Sequence, residues 1–202
     1  MAITYPITLP SAPGFRSVSF RGVSFTSLVA SPYTGQQTVY RYPGQLWQAD
    51  VELPPMTRDQ AEAWIGALLS LEGQYGTFRL GDPVGRTPRG AATGTPVVDG
   101  NNQSGQTLAT RGWTPGVTGI LKAGDWIQLG DSLHKVMVDA DSDASGLATL
   151  EIWPALRATP NDGDQIVTSN TQGLFRLAGQ QTAWDIREAR MFGLRFSAVE
   201  AL

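Results

Sequence analysis

The chain contains no cysteine, which excludes disulfides, thiolate metal sites and cysteine nucleophiles. Lys122 and Lys135 are its only lysines, no basic run occurs, and the net charge is −3 with a pI near 5.1. Gripping DNA or an anionic membrane by neutralising phosphates needs a basic face, so stable binding to either is not expected. There is no apolar run approaching the ~18 residues of a membrane span. Met1 to Pro13 carries prolines and lacks both a basic start and a long apolar stretch, so it does not read as a signal peptide. The patterns G-x-G-x-x-G, G-x-x-x-x-G-K-[ST] and G-x-S-x-G are all missing, which removes the usual phosphate loops and the nucleophile elbow. Charged residues are also scarce, 16% against about a quarter in ordinary domains. A surface so poor in charge is easily dehydrated against another protein or another copy.

What is abundant is turn-forming residues. The 202 residues include 23 glycines and 13 prolines, with 41% hydrophobic residues to build a core. Short apolar pieces separated by Gly, Pro and Asp signals are the pattern of an antiparallel β protein. Phe15 to Val29 reads as two strands turning at Arg21-Gly22, and Gln36 to Leu53 as a hairpin around Pro43-Gly44. In its second arm Trp47, Ala49, Val51 and Leu53 alternate with Gln48, Asp50 and Glu52, a period of two that buries one face.

One helix is signalled. Pro54-Pro55 precede it, Thr57 is a good N-cap, and Gln60 completes a capping box. Met56 and Ala61 are placed for a hydrophobic staple. Ala61, Trp64, Ile65, Leu68 and Leu69 fall on one face, and Gly73 is placed to stop the helix. A short strand over Gly76 to Leu80 follows.

Asp82 to Gln106 is poor in large apolar residues and reads as a connector with one weak strand at Pro96 to Val98. Strand-like pieces then recur at Gly119 to Leu121, Trp126 to Leu129, His134 to Val138, Ala148 to Trp153 and Gln165 to Thr168. They predict a small closed β unit. The G-x-F-R-L sequence occurs twice, at Gly76 to Leu80 and Gly173 to Leu177, on either side of that unit. Two such copies can pair as strands of one host sheet, with the chain between them inserted. The expected fold is therefore mainly β: a β-sandwich or split barrel with one α-helix, made of residues 1–84 and 171–202, plus an inserted small β-barrel or β-sandwich at 85–170. Strands in Trp184 to Val199 complete the host sheet.

Few residues suggest chemistry. His134, the single histidine, lies within an expected strand and reads as hydrogen-bonded to a neighbour rather than catalytic. Asp139 to Gly146 alternates oxygen ligands like a calcium loop, but Ala144 and Leu150 occupy the positions where an EF-hand needs Gly and Glu. A solvated turn suits those residues better. Asp125 and Asp131 flank a strand containing Trp126, which superficially resembles a sugar site with paired carboxylates; both also sit in Gly-Asp turn signals. Trp113, in a turn-rich stretch, is the best placed tryptophan for exposure, although packing over the small unit's core is the role expected first. Trp113, Asp125 and Trp126 are thus the residues to examine for a ligand or partner contact. No metal or cofactor is expected.

The stretch from Leu121-Lys122-Ala123-Gly124-Asp125-Trp126-Ile127-Gln128-Leu129-Gly130, through His134-Lys135-Val136 and Asp143-Ala144-Ser145-Gly146, to Ile152-Trp153-Pro154-Ala155-Leu156-Arg157 resembles a segment of tail proteins from phages with long non-contractile tails. Gly-x-Phe-Arg-Leu-Gly-Asp-Pro at Gly76 to Pro83 is also similar to them, and the whole from about residue 15 to 199 resembles a distal tail protein. That resemblance implies a structural subunit and no enzyme. It implies a homohexameric ring in the virion tail, assembled in the host cytoplasm. The ring would join the tail tube protein to the tail-tip hub protein, and DNA would pass through without specific binding. Residues 1–84 and 171–202 would be the ring-forming belt. The inserted unit would project outward, where related domains contact other tip proteins or host surface glycan. Alternatives in keeping with the sequence are another minor tail protein, a carbohydrate-binding module, or a small hydrolase using Asp125 and Asp131.

Overall fold

The computed structural model describes residues 3–186 and 191–202. It contains two antiparallel sheets and one helix. The first sheet runs β1 (Ser17–Ala30), β2 (Gln37–Glu52), β12 (Phe192–Glu200), β10 (Gly173–Leu177), β3 (Phe78–Leu80), with β11 (Trp184–Ile186) also bonded to β12. The second runs β4 (Gly94–Val98), β5 (Gly105–Trp113), β8 (Ala148–Leu156), β7 (Ser132–Val136), β6 (Trp126–Leu129), β9 (Ile166–Val167). A Val97–Gln165 bridge, with Val98 N–H bonded to Asp164 O at 2.9 Å, brings β9 beside β4 and nearly closes this sheet into a small barrel. The fold is mainly β, as the punctuation by Gly and Pro indicates.

Every named strand of the first sheet comes from residues 17–80 or 173–200, and every strand of the second from 94–167. The two G-x-F-R-L copies do pair: Gly173, Leu174 and Phe175 of β10 lie opposite Leu80, Arg79 and Phe78 of β3. Phe78, Leu80, Phe175 and Leu177 all point into one core. The echo thus encodes two neighbouring strands with the same in–out pattern. Residues 187–190, inside the expected strand region Trp184 to Val199, lie outside the described residues, as do the first two of the Met1 to Pro13 segment.

Two expected turns are not turns. Ser17–Ala30 is one strand of 14 residues and Gln37–Glu52 one of 16, and they form a single long hairpin closed at Ser31 to Gln36. Ser31 N–H donates to Gln36 O at 2.8 Å there, and Ser31 Oγ accepts from Thr34 N–H at 3.3 Å. Gly22 is needed for close approach instead: a Cβ there would stand 2.5 Å from the Trp153 ring. Pro43-Gly44 lies in a wide bulge, where only Phe25 faces residues 42–44 between the Ser24–Gln45 and Thr26–Arg41 pairs. The Phe25 ring covers Gly44, leaving no room for a side chain there. Proline is tolerated because this half of β2 is a sheet edge; β12 pairs only with residues 48–52.

The helix α1 (Arg58–Leu69) has Thr57 as N-cap, with Thr57 N–H donating to Gln60 Oε1 at 3.2 Å. Ala61, Trp64, Ile65 and Leu68 are buried, whereas Leu69, one position further round, is exposed. The helix ends at Ser70, before Gly73. Ser70 Oγ bonds Ala67 O and Tyr5 Oη donates to Ser70 O, both at 2.7 Å, so side chains satisfy the terminal carbonyls. Gly73 serves the turn that follows, at φ +69. The weak strand at Pro96 is β4. Its partner β5, nine residues long, occupies a stretch that reads in sequence as connector and turn. Gly119 to Leu121 forms only an isolated bridge, Leu121 to Ala140, rather than a strand.

Candidate functional site

Trp113 is buried, 3% exposed, at the end of β5, and its Nε1 donates to Thr110 Oγ1 at 2.7 Å. It packs in the barrel core with Leu108, Ile120 and Leu150, the packing role expected first, and its ring is covered rather than offered to a partner. Gly112, at φ +86, allows a kink inside the continuing strand.

Asp125 is buried and accepts backbone N–H groups of Lys122 at 2.8 Å, Arg89 at 2.9 Å and Gly90 at 3.0 Å. Burial alone would raise its pKa. The three N–H donors and the Arg89 guanidinium outweigh that and hold the carboxyl below its ordinary value. Its oxygens are spent on tying the 82–92 connector to the barrel. Asp131 turns elsewhere, pairing with Arg79 of β3 at 2.7 Å. The two carboxylates therefore do not face a common space as an acid–base pair.

Trp126 is also buried. Its ring lies 4.8 Å from Trp47 and 5.5 Å from Phe20, and Trp47 lies 4.5 Å from Trp153. Its Nε1 donates to Asp82 Oδ2 at 3.0 Å, and Lys135 Nζ sits 4.5 Å above the ring. Trp126 and Leu133 belong to the core of the first sheet although β6 and β7 belong to the second. These aromatics therefore weld the two sheets. Polar bonds reinforce the joint. Trp47 Nε1 donates to Leu133 O at 3.1 Å, and Arg157 reaches Glu200 at 2.5 and 2.6 Å. Glu200 also accepts Trp47 N–H at 2.9 Å.

His134 is a structural residue. It is 2% exposed, and its Nδ1 lies 2.8 Å from Pro154 O. A carbonyl only accepts, so Nδ1 carries the proton. Burial pushes its pKa down to about 4. In the Asp139 to Gly146 loop the carboxylates serve the chain itself. Asp139 bonds Ala123 N–H and Lys122, Asp141 bonds Gly119 N–H, and Asp143 bonds Ser145 and Leu147 N–H. No cluster of three or more metal-ligating groups occurs among the described residues. The helix α1 is neither long nor apolar enough to cross a membrane.

The feature that stands out is the distal part of the β1–β2 hairpin, residues 26–41. None of its residues belongs to either core, and neither strand has another strand partner there among the described residues. Leu28 faces Val39 on one side of the ribbon; Ser27 faces Tyr40 and Val29 faces Thr38 on the other. Leu28, Val29, Val39 and Tyr40 are each more than half exposed, and Tyr33 at the tip is 96% exposed. Apolar side chains thus project from both faces. Val23 to Tyr40 contains no charged residue, a signal legible in the sequence although it belongs to no motif. Along the body of the protein the ribbon is held by few contacts, such as Arg41 to Gln106 at 2.8 Å.

A second feature lies at the opposite end of the same strands. A groove of about 960 Å³ is lined by Arg16, Ser19, Asp50, Trp184, Asp185 and Arg195, among others. Trp184 and Ile186 of β11 are exposed at its side.

Comparison of the sequence with family models and with curated proteins finds no match.

Proposed function

We propose that this chain is a virion structural protein, a ring-forming subunit of the tail of a phage with a long non-contractile tail. The reading places it at the junction of tail tube and tail tip, six copies lining the DNA channel. The observation that carries the assembly part is the exposed ribbon at residues 26–41. A two-stranded hairpin is marginal by itself in water, and an apolar, tyrosine-bearing strand pair with free edges, charged only at Arg41, invites pairing with another chain. An exposed apolar patch of this kind marks a protein interface. The tail assignment rests on the likeness of Gly76 to Pro83 and Leu121 to Arg157 to tail-protein segments. In this reading the first sheet is the belt that builds the ring wall, and the barrel is the insertion that projects from it.

A net charge of −3 per chain suits a wall past which DNA moves without adhering. Trp113, Asp125 and Trp126 are buried and bonded within the chain, which supports a structural role for them.

Negative-stain microscopy of the purified protein tests the proposal. Closed rings with a central hole are the expected result. Particles of single-chain size at all concentrations, together with absence of the protein from purified virions, would overturn it.

A further inference from the structure

We infer that a cleft between α1 and the segment 8–15 binds a small carboxylate with an apolar body, an oxygen of which accepts the indole N–H of Trp64. The inference concerns a single chain and does not rest on the ring reading.

Buried polar groups are normally hydrogen-bonded. Trp64 is the exception among the described residues. It is 0% exposed, yet its Nε1 N–H meets no acceptor in the chain. An indole nitrogen only donates, so whatever completes it must bring an acceptor. Trp64 lines a cleft of about 600 Å³ together with Leu9, Phe15, Leu80, Arg79 and Arg86. Sites for small molecules span roughly 300–1,000 Å³.

The other lining groups narrow the chemistry. Leu9, Phe15 and Leu80 supply apolar wall, which suits a hydrocarbon body. Two of the charged side chains are already engaged. Arg79 pairs with Asp131 at 2.7 Å, and Asp82 accepts Trp126 Nε1–H at 3.0 Å and Val84 N–H at 2.9 Å. Arg86 is exposed, and only its backbone carbonyl is used, accepting Asn170 N–H at 2.7 Å. Its guanidinium has no ion-pair or hydrogen-bond partner among the described residues. The charge left over at the cleft is therefore positive and favours an anion.

The same wall gives a way in. Ile7 N–H donates to Thr77 O and Arg16 N–H to Glu52 O, both at 2.9 Å, but residues 8–15 make no hydrogen bond among the described residues. Side chains such as Leu9 and Phe15 hold this segment down. The Phe15 ring lies 5.8 Å from that of Trp64. A segment without backbone bonds belongs to the part of a fold that opens at low cost, and moving Phe15 aside uncovers the indole.

Benzoate is the probe. Protein carrying nitrogen-15 only in its six tryptophans gives one indole N–H resonance for each, and Trp64→Phe identifies the one that matters. The expected result is a saturable shift of the Trp64 resonance with benzoate, and none with benzylammonium, which has a similar body and the opposite charge. Arg86→Gln, at an exposed position, keeps the parent's melting temperature and weakens benzoate binding about fivefold. A Trp64 resonance that benzoate leaves in place, as when water alone satisfies the N–H, would overturn the inference. So would an equal response to benzylammonium, or an Arg86→Gln titration that matches the parent's. Native mass of the same samples reads ring formation separately, so loss of this site leaves the ring reading untouched.

Discussion

At the scale of single residues, the polar groups that attract attention in the sequence are used for holding the chain together. His134 is the clearest case. It is neutral in the folded protein, with a pKa of about 4 caused by burial, against about 6.5 for a free histidine. The unfolded chain therefore binds a proton that the folded one refuses. The stabilisation is complete above pH 6.5 and is lost as the pH falls toward 4, by about 3 kcal/mol. Urea unfolding at pH 7 and pH 4 should show that loss in the parent, on top of carboxylate titration, and His134→Asn should show it reduced. Glu200 is the second case. Its side chain is 1% exposed and answers both Arg157 and the Trp47 N–H. Glu200→Ala removes the acceptor of the Trp47 N–H and the counter-charge of Arg157, which keeps only Gln45 O, and should cost about 2 kcal/mol, read as a lower denaturation midpoint with an unchanged m-value. A strand histidine bonded to a neighbour is legible in sequence. Glu200 is not, because its partners lie 43 and 153 positions away. Gly124-Asp125 is the turn its residues signal, before β6, but the burial of Asp125 and Trp113 depends on which distant segments lie over them and is not written in Gly-Asp or Arg-Gly-Trp.

At the scale of elements, period and capping carry most of the information. The alternation Trp47, Ala49, Val51 and the helix face Ala61, Trp64, Ile65, Leu68 both emerge as buried sets, because a single face buried against one core imposes its own period. The pairing of the G-x-F-R-L copies is legible on the same grounds. The long hairpin is not, because glycine and proline inside β1 and β2 imitate turns. Gly22 is there to admit Trp153 and Gly44 to admit Phe25, contacts that no local pattern encodes. The ribbon also lacks a buried face, so it has no periodicity to detect. An element-level prediction follows from its isolation. Replacing residues 25–44 by Asn-Gly joins Ser24 to Gln45 through a type I′ turn. No residue of either core is removed, so the variant should melt within a few degrees of the parent, as small surface changes allow. Its oligomeric state should be reduced to one chain.

At the scale of the whole molecule, one chain makes two sheets with a core each, and the aromatic joint of Phe20, Trp47, Trp126 and Trp153 fixes one against the other. What that rigid body leaves uncovered is the ribbon, together with the groove at the far end of the same strands. In the proposed ring the ribbon is covered by another copy. Native mass measurement of the parent beside the protein lacking residues 25–44 tests this most directly. The expected result is a single closed oligomer for the parent, six chains in mass, and one chain for the shortened protein. A parent of one chain at every concentration, or a shortened protein that assembles like the parent, would contradict it.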